Sequence, residues 1–215
     1  MSVWNYLIEN QSDLVTQVIE HVLLVFSSMA IATVLAVGVA LATYKSAFAE
    51  KVAVSATGTL FTIPSLAMFG LLIPVLGLGA SPAIVALVIY ATLPILRNTY
   101  AGLQSVDPAV MDAARGIGMS RTAVLVRVRL PLAGPVIFVG IRVATQMGMG
   151  IATVAAYAGG PGLGNEIFDG LARFGATNSL TAVVVGLFGV TVLALAADTA
   201  FVAVDRFLIP RSIHV

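Results

Sequence analysis

Few side chains in this sequence could do chemistry, and their placement limits what they can do. There is no cysteine, which excludes disulfides, thiol nucleophiles and iron–sulfur clusters, and the two histidines, His21 and His214, stand at opposite ends. A histidine-based metal centre is therefore not expected, and no metal site is assigned. No set of Ser, His and carboxylate falls within one apolar stretch, which argues against an intramembrane hydrolase. A glycine-rich run, Gly159-Gly160-Pro161-Gly162-Leu163-Gly164, has no lysine near it, and the lysines follow Tyr44 and Glu50. No phosphate-binding loop can be assembled from these pieces, so the chain is not expected to hydrolyse ATP, and the run reads as a tight turn or re-entrant loop. Arg142 and Asp198 are the ionisable residues inside otherwise apolar segments. An unpaired charge there is strongly disfavoured, and the two fall within about one helical turn of the same depth. An Arg142–Asp198 ion pair locking two helices is expected, with separate satisfaction by carbonyls or water as the alternative.

The elements that must position these residues follow from composition. Of 215 residues, 59% are hydrophobic and 10% charged, with a mean hydropathy of +1.03. A soluble domain carries roughly a quarter charged residues, so most of this apolar surface must face lipid and an all-α membrane protein is expected. The net charge of +1 and the absence of a single basic patch give no nucleic-acid signal. The first basic residue is Lys45, after Glu9, Asp13 and Glu20, so no cleaved signal peptide is expected. Residues 1–21 read as an external amphipathic segment, with Trp4, Tyr6, Leu7, Ile8, Leu14, Val15, Val18 and Ile19 among polar neighbours, or as a partly ordered tail.

A transmembrane domain over 22–207 then contains five spans, about 22–44, 52–76, 81–97, 131–157 and 180–204. Pro64 and Pro74 should kink or break the second and Pro94 the third, with Gly77, Gly79 and Pro82 turning between them. Lys45, Lys51, Arg97, Arg115, Arg121, Arg127, Arg129, Arg206 and Arg211 fall on one face of this arrangement, and Arg173 falls on the other with Glu9, Asp13, Glu20, Glu166 and Asp169. Positive charge stays cytoplasmic, which puts the N-terminus outside and the tail, 208–215, inside.

The longest cytoplasmic connection, 98–130, is expected to hold structure. Asp107 can cap a short helix opening at Pro108, Gly116 and Gly118 can stop it, and Ser120 can cap a second helix through Arg129. Within it, Asp112-Ala113-Ala114, three residues, Gly118, nine residues, Val128, one residue, Leu130-Pro131 resembles the cytoplasmic signature of bacterial ABC importer permeases, with Asp112 and Val128 as conservative departures from Glu and Ile. Thr62-Ile63-Pro64-Ser65-Leu66-Ala67, the stretch from Leu93-Pro94 to Leu103, Gly140-Ile141-Arg142-Val143-Ala144-Thr145 and the glycine run are similar to the osmoprotectant branch of that family.

The resemblance implies a five-span type I ABC importer permease fold with a cytoplasmic coupling helix, set in the bacterial inner membrane. Asp107, Pro108, Met111, Asp112, Ala113, Ala114, Gly118, Arg121, Leu130 and Pro131 would form the ATPase-coupling loop. It also implies ABC ATP-binding subunits that bind ATP and magnesium, none being bound by this chain, a second permease subunit, identical or similar, and an external substrate-binding protein. The solute would be glycine betaine, choline, carnitine or proline betaine, with another small solute such as an amino acid as the alternative.

Ala144, Gly148, Ala152, Ala156 and Gly160 form a stripe of small residues along the fourth span, suited to close packing or to lining a path. In the second use Gln146, Tyr157 and Tyr90 offer weak contacts to a methylated ammonium, with Gly148 and Ala152 on the wall. An ion-coupled transporter would want several intramembrane carboxylates or an inverted repeat; one buried Asp and no evident repeat are seen.

Overall fold

The first proline in the chain is Pro64, and nothing before it forbids helix. In the computed structural model, which describes residues 3–208, α1 (Val3–Glu9) is followed directly by α2 (Gln11–Thr43). Asn10 separates them with non-helical dihedrals, and its side chain donates to the Tyr6 carbonyl at 2.9 Å. The stretch expected as one amphipathic segment is therefore two pieces, and its second half is already part of the first long helix. The Tyr6 hydroxyl donates to Glu166 Oε2 at 2.6 Å and Gln17 Nε2 donates to Oε1 at 2.9 Å, tying α1 and α2 to the far end of the chain. Burial and the Glu166 carboxylate push the Tyr6 hydroxyl up to about 12.

α3 (Ala47–Phe61) and α4 (Ser65–Leu76) are bent by 93°. Pro64 is the cause: it disfavours helical dihedrals at Ile63 and is itself extended, with ψ 140°. The Ile63 carbonyl freed by the break accepts the Tyr90 hydroxyl, so this backbone oxygen is not left unsatisfied at membrane depth. Gly77 and Gly79, at φ +76° and +114°, turn the chain into α5 (Ala80–Ser105), and Pro82 lies in its first turn. α5 continues past Pro94, so the expected end of the third span near Arg97 lies inside the helix, and Thr99, Tyr100, Gly102 and Leu103 are buried. One proline removes one hydrogen bond, and flanking helices on both sides hold the rest.

After two short elements, α6 (Pro108–Gly116) and α7 (Arg121–Val124), the chain enters α8 (Leu130–Val154), then a glycine turn, α9 (Gly164–Ala172) and α10 (Ser179–Leu208). Among the described residues four helical stretches are long and apolar enough to cross a membrane, and α3 with α4 makes a fifth when the bent pair is counted as one broken span. The core seam sets many alanines among a few larger side chains: Val25, Met29, Ala32, Ala36 and Ala40 of α2 meet Ala83, Ala86, Leu87 and Ala91 of α5 and Ala144, Met149 and Ala152 of α8. Leu23, Val34, Leu35, Leu187, Phe188 and Leu195 point outward, where lipid replaces water.

α5 and α8 approach each other closely at two glycines. A Cβ on Gly140 would stand 2.6 Å from the Asn98 Cβ and 3.1 Å from the Pro94 oxygen, and one on Gly102 would stand 2.8 Å from the Ala133 oxygen. Gly140→Ala is accordingly expected to destabilise the purified subunit by about 1–3 kcal/mol, read as a lowered melting temperature. Gly134→Ala, in the same helix with nothing within 4 Å, should leave stability unchanged or raise it slightly. Equal melting of the two variants would contradict this account of the packing.

Candidate functional site

Between Ser105 and Arg121 the chain leaves the bundle and builds one short helix on its outside. Asp107 caps it, its Oδ1 accepting from the Ala109 amide at 2.8 Å, and Pro108 fills the first position where no amide hydrogen is needed. Its far end is a Schellman closure: the Met119 amide donates to the Ala114 oxygen at 3.2 Å and the Gly118 amide to the Arg115 oxygen at 2.9 Å, with Gly118 at φ +87°. Gly116 remains helical, so Gly118 alone stops the helix. Gly118→Ala should cost about 1 kcal/mol or somewhat more through its left-handed backbone, without a steric clash; matched melting curves for variant and parent would refute that.

Met111 and Ala114 point inward and pack with Val106 and Val124, joined by Met119 and Val128. They form the root of the helix and lie beneath its outer surface. Asp107, Pro108, Asp112, Ala113, Gly118 and Arg121 are exposed, and Asp112 pairs with Arg115 at 3.1 Å. Two residues that the signature spacing does not mark complete the outer face: Val110, 42% exposed, and Ile117, 81% exposed. With Ala113 they form an apolar crest at i, i+3, i+7. A signal for them exists in the sequence, because α6 carries a second apolar stripe alongside Met111 and Ala114.

Ser120 caps the next turn, its Oγ accepting from the Ala123 amide at 3.2 Å, but the helix it starts does not end at Arg129. Residues 125–129 form a π-helical stretch that runs straight into α8, giving one rod from Arg121 to Ala158. Pro131 explains the widening, since its ring would clash with the carbonyl one ordinary turn back and it has no amide to donate. Leu130 and Pro131 are thus part of the rod, Leu130 packing beside Leu103, Ala133 and Ile137, and not part of the outer helix. Arg129 holds this junction: its Nε donates to the Leu103 oxygen at 2.7 Å while its guanidinium stacks 5.0 Å from the Tyr44 ring.

Within the bundle, Arg142 Nε and Nη2 donate to Asp198 Oδ1 and Oδ2 at 2.5 and 2.8 Å, a bidentate pair joining α8 to α10. Gln146 Nε2 donates to the same Asp198 Oδ1. The residues assigned to a translocation path separate into two groups. Tyr90, 5% exposed, staples the α3–α4 break; Gly148 meets the Met29 methyl, which a Cβ would approach to 3.1 Å; Ala152 is buried. These three belong to the packed seam, and helix packing inside the subunit claims the small-residue stripe. Gln146 instead lies on an open face of α8 with Val139, Val143 and Gly150, and Tyr157 is exposed in the helical turn that follows α8.

At the opposite end from α6, Gly159 and Gly162, at φ +70° and +115°, turn the chain, and the Gly79 amide donates to the Ala158 oxygen at 2.8 Å. His21 is fully buried there, with Nε2 3.2 Å from the Met149 oxygen and its ring against Gly162. Among the described residues no cluster of His, Asp and Glu could hold a metal ion. Arg211 and His214 lie outside the described residues.

A bundle of apolar spans with one capped amphipathic helix projecting from it defines a multi-pass membrane transport subunit. A family profile described as "Binding-protein-dependent transport system inner membrane component" matches residues 22–210, and the chain belongs to that family. It is 35% identical over 206 residues to the carnitine transport permease protein OpuCB of Listeria monocytogenes, covering 96% of this chain and 93% of the relative. It is 36% identical over 211 residues to the choline transport system permease protein OpuBB of Bacillus subtilis, with 97% and 94% covered. The osmoprotectant import permease protein OsmW of Salmonella typhimurium is 32% identical over 219 residues, with all of both chains covered. Among solved structures, a chain of the inward-facing MetNI methionine ABC transporter superposes with a TM-score of 0.80 at 20% identity, over 92% of this chain and 96% of that one. The fold is that of a type I ABC importer permease.

Proposed function

We propose that this chain is the membrane subunit of an ATP-driven importer that takes up osmoprotectants, small quaternary amines such as glycine betaine, choline, carnitine or proline betaine. The observation that carries the reading is the α6 crest of Val110, Ala113 and Ile117, an apolar surface held outside the lipid-facing bundle and suited to a groove in another protein. Its partner is an ABC ATP-binding subunit, which supplies the ATP and magnesium this chain does not bind. The names of the relatives support the solute class. The paired names OpuBB and OpuBD in Bacillus subtilis support assembly with a second permease subunit, identical or similar. An external binding protein delivers the solute.

The subunit lies in the inner membrane with the Lys- and Arg-rich end, α6 included, in the cytoplasm and the N-terminus outside. Closure of the two ATPases draws the α6 helices together. The Met111–Val124 packing passes that movement to the Arg121–Ala158 rod without slack, and the rod carries the open face of Val143, Gln146, Gly150 and Tyr157 that borders the path between subunits. The outward-open and inward-open states are two packings biased by nucleotide, and the face offers weak contacts that let solute leave.

The test is uptake of labelled glycine betaine by proteoliposomes containing the assembled transporter, its binding protein and enclosed ATP. Accumulation should stop when the ATPase subunit is inactivated or the binding protein is omitted. Uptake that persists with an inactive ATPase overturns the reading.

A further inference from the structure

Where α2 ends, the structure forms an open-mouthed cavity of about 590 Å³ lined by Tyr44, Lys45, Met111, Arg115, Arg121 and Arg129, together with Val124 and Leu125. Four cationic side chains converge on it. Of these four, only Arg115 has a carboxylate partner among the described residues, Asp112, and that pair is largely exposed to solvent. Lys45 and Arg129 both lie over the Tyr44 ring, at 5.6 and 5.0 Å, which fixes their direction without neutralising them. Such a concentration of like charge disfavours the compact state unless an anion occupies it.

Depth narrows the choice of anion. The apolar run of α2 ends at Thr43, and the rod leading into α8 begins at Arg121, so the cavity opens at the level where hydrocarbon gives way to headgroups. Tyrosine and basic residues at a span's end are suited to that layer. Met111, Val124 and Leu125 add apolar lining beside the cations, which suits the glycerol and first methylenes of a lipid better than a free ion.

We propose that this cavity is a binding site for the phosphodiester headgroup of an anionic phospholipid, seated between the root of α6 and the end of α2. The phosphate lies among Lys45, Arg121 and Arg129, with guanidinium groups as its hydrogen-bond donors. The occupant touches both the outer helix and the bundle, so it stiffens the joint between them. The assignment to the cytoplasmic leaflet rests on the orientation proposed above; the site itself does not.

The experiment uses the assembled transporter in phosphatidylcholine nanodiscs containing a small fraction of phosphatidylglycerol with a photoactivatable diazirine in its headgroup. Both faces are accessible there, so an error in orientation or in the transported solute leaves the result unaffected. Peptide mapping should find label at 44–45 and within 111–129. It should fall by about tenfold or more in Lys45→Gln/Arg121→Gln, and be retained in the charge-keeping Arg121→Lys. A diazirine phosphatidylcholine should leave these peptides unlabelled. Three results overturn the proposal: equal labelling of the double variant and the parent, equal labelling by the zwitterionic probe, or complete displacement by millimolar glycerol phosphate, which would make the occupant a soluble phosphate.

Discussion

Reversing either charge of the Arg142–Asp198 pair is expected to remove most of the folded subunit from the membrane, and reversing both is expected to restore it. The pair is bidentate, at 2.5 and 2.8 Å, and it bridges α8 to α10 across an otherwise apolar contact. Arg142→Asp would set two carboxylates face to face, with Asp205 close enough to add to the repulsion. Asp198→Arg would set two guanidinium groups together and take from Gln146 its acceptor. In lipid neither charge can turn to water, so the helices separate or the chain fails to insert. The double reversal re-forms the ion pair with its direction inverted. The measurement is the amount of monodisperse subunit extracted from membranes by mild detergent. A double variant no better than the singles would show that the two groups are satisfied independently, and the locking role would fall.

The second large effect is on coupling and spares the fold. Val110→Asp/Ile117→Asp should abolish uptake, by about 100-fold or more, and prevent co-purification of the ATP-binding subunit, because two carboxylates would be forced into an apolar groove. Both side chains are exposed in the isolated subunit, 42% and 81%, so its melting temperature should stay close to that of the parent, consistent with a change within about 0.5 kcal/mol per site. Met111→Ala should behave in the opposite way: it removes the root of α6 and lowers stability by about 2 kcal/mol or more, and ATPase docking then fails only because the helix is no longer held. If the acidic double variant still recruits the ATPase, the crest is not the docking surface.

The open face of α8 and its packed seam share one sequence signature. Along α8, the small residues Ala144, Gly148 and Ala152 and the set Val143, Gln146 and Gly150 lie on nearly opposite faces, the first buried and the second exposed. Periodicity marks both faces equally well. It does not say which one meets α2 and α5 and which one waits for a second subunit. Gly148→Leu, which would block a path if it lined one, should instead displace Met29 and Leu87 and unfold the subunit.

Residue types and their order were enough to define the all-helical, multi-span class, the break at Pro64, the capped helix at Pro108, and the need of Arg142 and Asp198 for partners. Each is a local matter, set by what a backbone amide, a proline ring or a charge tolerates in lipid. Packing between helices settled the rest. It fused the expected loop at Asn98–Ser105 into α5 and the Ser120 helix into α8, assigned Tyr90 to the Ile63 carbonyl, and turned Met111 inward and Ile117 outward. Those outcomes depend on which helix lies against which. An apolar side chain faces protein, a partner or lipid at nearly the same free energy in a membrane, so its composition carries no preference until neighbouring helices have taken their places.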